Sequence, residues 1–207
     1  VVSYIFHPLW MLFLGVFLLM QISPYQFGYD SLKSGQILLI QLGLLTIALP
    51  AFGILLMKQL GLIKSLEMED RMERIGPLIL VIIFYLWLAI NAYKNQGIPP
   101  LGLSFIFGCI ISLIIAFIIN IFSKISLHMV GISGIFTLIV TLLFFGVWGF
   151  QAFGTLIYLN DTLAVVLIIM GMVASARLIL DRHTFGDIYG GILVGIIGQV
   201  IAWKLFL

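Results

Sequence analysis

The chain has 207 residues, of which 63% are hydrophobic and only 9% are Asp, Glu, Lys or Arg. Soluble domains carry roughly a quarter charged residues, so this composition excludes a water-covered globular surface. The net charge of +2 is too small to indicate a nucleic-acid partner.

Apolar runs of about 20 residues, each long enough to cross a bilayer as a helix, recur along the whole chain. They predict one integral membrane domain, 1–207, built as an all-α polytopic bundle of six to seven spans. The expected spans are 4–23, 35–62, 76–94, 101–122, 127–149, 162–180 and 185–206. The first run lacks a basic start and a small-residue cleavage site, so we expect an ordinary span and not a signal peptide.

Local signals punctuate these spans. Ser23-Pro24 closes the first, and Gln96-Gly97 with Pro99-Pro100 separates the third from the fourth. Asn160-Asp161 is expected to cap the sixth span, and Pro50 is expected to kink the second.

Two further features concern packing. Small residues at four-residue spacing, Gly186/Gly190 and Gly191/Gly195, predict close approach of the last helix to a neighbour. The fifth connection, 150–161, is apolar and aromatic and is expected to lie in the membrane interface. The single Cys109 lies mid-span and excludes an intrachain disulfide.

Alternating crossings divide the loops between two sides. Side A, which holds the N-terminus, receives the loops near 63–75, 123–128 and 178–186. Of the 18 charged residues, 12 lie in two short stretches on this side, 58–74 and 177–187.

The orientation of side A is left open by its basic residues. Side A has seven Lys or Arg residues and side B has three, which favours a cytoplasmic side A. If Lys64, Arg71 and Arg177 bind a ligand, the count falls to four against three and the bias disappears.

The last charged stretch contains Arg177, His183 and Asp187. His183 and Asp187 stand at i and i+4 on the opening turn of the seventh span, so they share a face. Asp187 could orient the imidazole as a base or nucleophile. The alternative is an interfacial histidine beside a helix-terminal carboxylate that the helix dipole favours.

The other two side-A loops carry complementary groups. Lys64 and Arg71 are seven residues apart and would share a face if the third helix began early, and Arg74 could serve in place of Arg71. Ser126 and His128 open the fifth span, where free backbone N–H groups favour an anion. The alternatives are a solvated charged loop for the first group and an N-cap beside an interfacial histidine for the second.

Together these groups indicate a bound oxyanion. Cations, a hydroxyl, two histidines and an aspartate converge on one side from three loops. A metal held by the histidines and Asp187 is disfavoured, because the neighbouring cations would repel it. An anion with several oxygens suits Arg and Lys instead.

At these residues the chain resembles the type-2 phosphatidic acid phosphatase family, within the vanadium haloperoxidase-like superfamily. That family's signature is K-x6-R-P, then P-S-G-H, then S-R-x5-H-x3-D. Here the motifs at 64–71, 125–128 and 176–187 read Lys64-x6-Arg71, Ser126-Leu127-His128 and Arg177-x5-His183-x3-Asp187. The supporting positions differ, being Met72, Ile125, Leu127 and Ala176. The lost glycine at Leu127 matters most, since glycine lets the backbone approach a phosphate closely.

The resemblance implies a covalent mechanism without a metal or another cofactor. His183, oriented by Asp187, would attack phosphorus, and His128 would act as general acid and then base. The expected phosphate-binding residues are Lys64, Arg71, Arg177 and Ser126, with Arg74 as the substitute. The implied substrate is a lipid phosphate or pyrophosphate that enters sideways with its tail in the bilayer, and in bacteria this face of the inner membrane usually points away from the cytoplasm.

Other functions remain open at this point. A phosphotransferase of the same architecture would pass the phosphate to an alcohol, and a non-catalytic anionic-lipid binder or transporter would keep the pocket without turnover. A channel is disfavoured, because no span interior carries an acidic or basic residue, although Gln36, Gln41 and Gln199 could line a small polar path.

Overall fold

The computed structural model describes residues 6–68, 70–95, 97–152 and 154–207. Glu69, Gln96 and the first two residues of the expected 4–23 span lie outside the described residues. The described part contains seven helices and one hairpin: α1 Pro8–Ile22, α2 Gln36–Gln59, α3 Ile75–Asn95, α4 Pro100–Phe122, α5 Leu127–Phe144, β1 Gly149–Ala152, β2 Thr155–Tyr158, α6 Leu159–Ile179 and α7 Phe185–Phe206. Short 3-10 turns cover Pro24–Phe27 and Met72–Arg74.

Six of these helices, α2 to α7, are long and apolar enough to cross a membrane. Helix α1 has 15 residues, which gives about 22 Å of helix against a hydrocarbon core of about 30 Å. The all-α membrane bundle of six to seven spans is therefore confirmed, with α1 as the short member.

The predicted ends of α7 are confirmed. The predicted end of α5 and start of α6, on either side of the hairpin, are wrong. Helix α5 ends at Phe144 instead of 149. Helix α6 begins at Leu159 and receives no side-chain cap, so the Asn160-Asp161 cap is wrong, and Asp161 lies in the first turn. The physical reason is that Leu159 N–H donates to Trp148 O at 2.8 Å, so the hairpin sets where α6 starts.

Helix α2 is continuous through Pro50, but one wide turn, Leu44–Ala48, precedes the proline. Proline has no N–H and clashes with the preceding turn, so a local adjustment is expected there. The buried hydroxyl of Thr46 donates to Leu42 O at 2.7 Å within this turn.

Helix α7 packs against both α4 and α5 at the centre of the bundle. The prediction from glycine spacing is confirmed for Gly191 and Gly195: a Cβ would lie 2.7 Å from Ser126 O at the first and 2.0 Å from Ser133 Oγ at the second. It is wrong for Gly186 and Gly190, since a Cβ at Gly190 would meet nothing within 4 Å.

Three side-A loops meet at one end of the bundle. Arg182 forms an ion pair with Glu67, which joins the last loop to the first. Arg74 Nη1 donates to Ile125 O at 3.3 Å, and Ser126 N–H donates to Asp187 O at 3.2 Å. At the opposite end, Gln21 Nε2 donates to Gln151 O of the hairpin at 3.3 Å.

Candidate active site

A cavity of about 510 Å³ opens where the three side-A loops meet. Its polar wall carries three imidazoles, those of His7, His128 and His183. It also carries several cations, which include Arg74, Arg177 and Lys124. The chain thus brings both predicted histidines and Arg177 into one wall: His128 comes from the start of α5, and Arg177 and His183 come from the end of α6 and the loop that follows it.

His183 follows a sharp turn that ends α6. Arg182 N–H donates to Arg177 O at 3.2 Å and Asp181 N–H to Leu178 O at 3.0 Å, the pair of bonds of a Schellman motif. Asp181 has φ 50°, the left-handed conformation this motif requires. The turn places His183 on the same cavity as Arg177.

His183 and Asp187 form the predicted i, i+4 pair. His183 Nδ1 lies 3.5 Å from Asp187 Oδ2, at the outer limit of a hydrogen bond. The same carboxylate oxygen accepts Thr184 N–H at 2.9 Å, and Thr184 Oγ1 accepts Asp187 N–H at 3.3 Å. Asp187 therefore belongs to a capping box of α7 and also faces the imidazole.

The imidazole of His183 is neutral at physiological pH. Its side chain is 2% exposed. Burial, followed by repulsion from Arg177 and Arg74, lowers its pKa from 6.5 to about 4, against the opposing attraction of Asp187. A neutral ring keeps a nitrogen lone pair for nucleophilic attack.

Arg74 is the buried cation of the first loop. Its Nε donates to Met68 O at 2.9 Å and its Nη1 to Ile125 O at 3.3 Å, while the side chain lines the cavity. Two of five guanidinium N–H groups are used in these bonds, which fix the head and leave donors for a ligand. Of Arg71 and Arg74, it is thus Arg74 that lines the cavity.

Lys64 and Arg71 are not part of the cavity lining. Lys64 is exposed, and Arg71 Nη1 donates to Ile121 O at 2.8 Å, away from the cavity lining. The expectation of a shared face required an early helix start, but only the turn Met72–Arg74 precedes Ile75. Of the residues expected to bind phosphate, Lys64 and Arg71 thus lie outside the cavity lining, and Arg74 lies within it.

Ser126 and His128 flank the start of α5. His128 lines the cavity, whereas Ser126 is fully buried at the N-cap position, and its hydroxyl caps nothing. Leu127 also lines the cavity, where the resembled family carries glycine. Its side chain takes space at the helix N-terminus, where a phosphate would approach the backbone.

Among the described residues, the buried Arg177 Nε on the cavity wall and the buried Ser126 Oγ beside the wall residue Leu127 have no hydrogen-bond partner. His183 Nδ1 instead faces Asp187 Oδ2 at 3.5 Å. The charged lining of the cavity consists of four cations, Arg74, Lys124, Arg177 and Arg182, and two carboxylates, Glu67 and Asp181. This excess of positive charge favours an anion.

The arrangement of potential metal ligands differs from that of a metal site. Within the described ranges, no group of three His, Cys, Asp or Glu side chains is arranged to hold a metal ion. Most polar groups that line the cavity are cationic or neutral nitrogens, beside the carboxylates of Glu67 and Asp181, and this majority suits an oxyanion.

His7, Lys124 and Thr184 were not among the predicted site residues. His7 and Lys124 line the cavity, and Thr184 anchors Asp187. Two sequence signals were available: His7 stands at the side-A end of the first span, and Thr184-x-x-Asp187 has the capping-box spacing.

The three glutamines considered for a channel lie in different environments. Gln36 and Gln41 are exposed on α2, whereas Gln199 is buried in α7. They do not line a common polar path.

Comparisons with known proteins give no match, whether with family models, with curated proteins or with solved structures.

Proposed function

We propose that this integral membrane protein is a lipid phosphatase that hydrolyses a phosphomonoester or pyrophosphate lipid through a phosphohistidine intermediate. The observation that carries the proposal is the meeting of His183, paired with Asp187, with His128, Arg74 and Arg177 around one cavity. A nucleophile, its orienting carboxylate, a second imidazole and two guanidinium groups are the set that phosphoryl transfer requires without a metal.

In the first step, a neutral His183 nitrogen would form a bond to phosphorus while the bond from phosphorus to the ester oxygen breaks. His128 in its protonated form would give its proton to that oxygen, which leaves as an alcohol. Asp187 would stabilise the positive charge that develops on the His183 ring. Arg74 and Arg177 would hold the phosphoryl oxygens as their charge redistributes.

In the second step, the now neutral His128 would take a proton from water. The resulting hydroxide would bond to phosphorus while the bond from phosphorus to His183 breaks. Inorganic phosphate leaves, and both histidines return to their starting states, so the site needs no further reactant.

A lipid substrate is supported by the two halves of the cavity. The mouth carries the cations, and the side walls beyond it are mainly apolar, with Leu12, Leu78 and Val81 among them. Such a cavity complements a molecule with an anionic head and a hydrocarbon chain.

The proposed setting is a bacterial inner membrane with the site facing away from the cytoplasm, as the family resemblance implies. The distribution of basic residues does not oppose this. Without the four that line the cavity (Arg74, Lys124, Arg177 and Arg182), side A keeps three basic residues and side B also has three.

The test is release of inorganic phosphate from a single-chain lipid phosphate by the purified protein in detergent. We expect release by the wild type and loss of at least a hundredfold with His183→Ala, together with an acid-labile phosphoprotein that His183→Ala cannot form. Equal release of phosphate by the wild type and His183→Ala would contradict the phosphatase assignment. Adding an alcohol acceptor distinguishes a phosphotransferase, which would form a new phosphoester in proportion to acceptor concentration.

A second candidate is a non-catalytic binder of anionic lipids. It is favoured by Leu127, which takes space beside the expected phosphate position, and by the displacement of Lys64 and Arg71 from the cavity lining. This candidate predicts binding of lipid phosphates with no phosphate release by the wild type.

A further inference from the structure

The cavity continues far beyond its charged mouth. Its lining passes from Arg74 along one face of α3 through Leu78 and Val81 to Tyr85. It includes Cys109 on α4 and Gln199 on α7. The interior of the bundle therefore contains a chamber, which we define by Val81, Tyr85, Cys109 and Gln199.

Three helices give consistent depths for this chamber. Tyr85 lies eleven residues after Arg74, or about 16 Å along the helix. Cys109 lies thirteen residues before the side-A end of α4, or about 20 Å, and Gln199 lies fourteen residues after the start of α7, or about 21 Å. The chamber thus reaches about halfway or more through a hydrocarbon core of about 30 Å.

The chamber ends on polar groups. Gln199 Nε2 donates to Phe105 O at 3.4 Å and lies 3.5 Å from Cys109 Sγ. Gly108 permits this position, because a Cβ there would lie 2.4 Å from Gln199 Oε1. Together with Tyr85, these groups form a polar floor below apolar walls, and a hydrocarbon chain gains nothing by pressing against it.

We propose that this chamber binds the hydrocarbon chain of the substrate inside the bundle, with the chain end at the polar floor and the phosphate at the mouth. The inference rests on the proposed function and names its substrate class: a single-chain lipid phosphate of limited length. A cavity of about 510 Å³ is the size of a site for one small ligand. The chain would lie within the protein instead of in the bilayer, and the floor would set the longest chain that fits.

Cys109 provides a test on the unmodified protein, because it is the only cysteine of the chain. Methyl methanethiosulfonate is added to the purified protein in detergent, and formation of the mixed disulfide is followed by mass spectrometry. Saturating dodecyl phosphonate, which cannot be hydrolysed at its carbon–phosphorus bond, should slow modification at least fivefold. Butyl phosphonate and inorganic phosphate, which reach only the mouth, should not. Equal protection by butyl and dodecyl phosphonate would overturn the chamber proposal.

A matched pair of variants tests the same idea by chain length. Val81 is buried and lines the chamber, whereas Ile83, two residues further along α3, is 55% exposed on the outside of the helix. Val81→Phe should lower the rate on hexadecyl phosphate relative to that on butyl phosphate and so shorten the preferred chain, while Ile83→Phe should keep the wild-type profile. Identical profiles for both variants would place the chain in the bilayer.

The two proposals fail in different ways. Absence of phosphate release from every chain length, with chain-dependent protection of Cys109 retained, would remove the phosphatase and keep the chamber. Phosphate release without chain-dependent protection would do the reverse.

A second inference concerns His7, on independent observations. His7 is the N-cap residue of α1, and its Nδ1 accepts Leu9 N–H at 3.3 Å. An Nδ1 that accepts a hydrogen bond leaves the proton of the neutral ring on Nε2. The ring lies edge-on to that of His128, with centroids 5.8 Å apart, and both line the cavity.

The surroundings keep His7 neutral. Burial, followed by repulsion from Arg177, lowers its pKa from 6.5. Its ring therefore offers one N–H donor beside the proposed general acid.

We infer that His7 is a further phosphate-binding residue, whose Nε2–H donates to a phosphoryl oxygen beside His128. This inference about His7 rests on the anion site of the proposed function. It holds whether or not the protein hydrolyses the bound phosphate ester.

Two substitutions separate this role from capping. Asparagine is a good N-cap, so His7→Asn keeps an acceptor for Leu9 N–H and removes the ring donor, whereas His7→Ala removes both. We expect His7→Asn to keep the wild-type melting temperature and lose about tenfold in orthovanadate affinity, measured by calorimetry. Wild-type affinity in His7→Asn would assign His7 to capping alone. No orthovanadate binding by the wild type would instead remove the anion site itself.

Discussion

Nδ1 of His183 lies 3.5 Å from Oδ2 of Asp187, and this carboxylate also closes the capping box that begins α7. One side chain thus fixes the helix start and faces the proposed nucleophile. The capping box has a second member, Thr184: its N–H donates to Asp187 Oδ2, and its Oγ1 accepts the N–H of Asp187. Substitution of Thr184 therefore weakens the helix start without removing the carboxylate that faces His183.

Asp187→Asn should reduce phosphate release by about a hundredfold or more, with little loss of stability. The amide oxygen can still accept Thr184 N–H, but it lacks the charge that orients the imidazole and stabilises its positive form. Thr184→Ala is the control: it should lower the free energy of unfolding by about 1 kcal/mol and change the rate far less. If both variants lose the same activity, Asp187 acts only through the helix start.

Arg74 and Arg71 form a second matched pair. Arg74→Lys should weaken orthovanadate binding by about tenfold or more, because lysine keeps the charge but loses the planar fork. Arg71→Lys should bind as the wild type does, since Arg71 donates to Ile121 O away from the cavity. Calorimetric titration of both proteins measures the difference, and weaker binding by the Arg71 variant alone would restore the expectation from motif spacing.

Stability should fall as the pH falls below neutral. The pKa of His183 is about 4 in the folded protein against an ordinary 6.5, so between these values the unfolded chain binds a proton that the folded protein does not. Linkage then lowers the free energy of unfolding as the pH drops from about 6.5 to about 4, by at most on the order of 3 kcal/mol.

Melting temperatures of the wild type and His183→Asn across this pH range measure the effect. The variant lacks the titrating group and should show a shallower slope. His7, whose pKa is also lowered, should leave part of the slope in place. A variant slope as steep as that of the wild type would assign the acid sensitivity to other groups.

Leu127→Gly should raise the turnover number several-fold. The substitution removes a side chain from the cavity wall at the N-terminus of α5 and gives the phosphate closer access to the backbone N–H groups. Leu127→Ala should lie between the two, and rates are compared on the same short-chain substrate. A glycine variant with unchanged turnover would show that Leu127 does not restrict the site.

The glycines of α7 should differ sharply in their tolerance. Gly195→Ala would place a Cβ 2.4 Å from Val130 O and 2.0 Å from Ser133 Oγ, so we expect a loss of about 1–3 kcal/mol in unfolding free energy. Gly190→Ala meets nothing within 4 Å and should be neutral or slightly stabilising, as alanine favours helices. Unfolding in mixed detergent micelles compares them, and equal losses would contradict the packing described.

The sequence by itself determined the membrane class, the number of helical segments and the gathering of most charges at one end of them, but not where α5 ends and α6 begins. These properties depend on the length and spacing of apolar runs, which are local, and on the alternation of successive crossings. The i, i+4 pairing of His183 with Asp187 was predictable for the same reason, because the two residues lie four positions apart at the start of α7.

Only the tertiary structure decided which side chains reach the cavity. Lys64 and Arg71 have the motif spacing but stand in a loop, whereas Arg74, on the turn before α3, is fixed by carbonyls of Met68 and Ile125. His7 and Gln199 are far from the motifs in sequence and enter the cavity because α1 and α7 pack beside α5. Such contacts depend on how helices pack against one another, a non-local property that residue spacing along the chain does not encode.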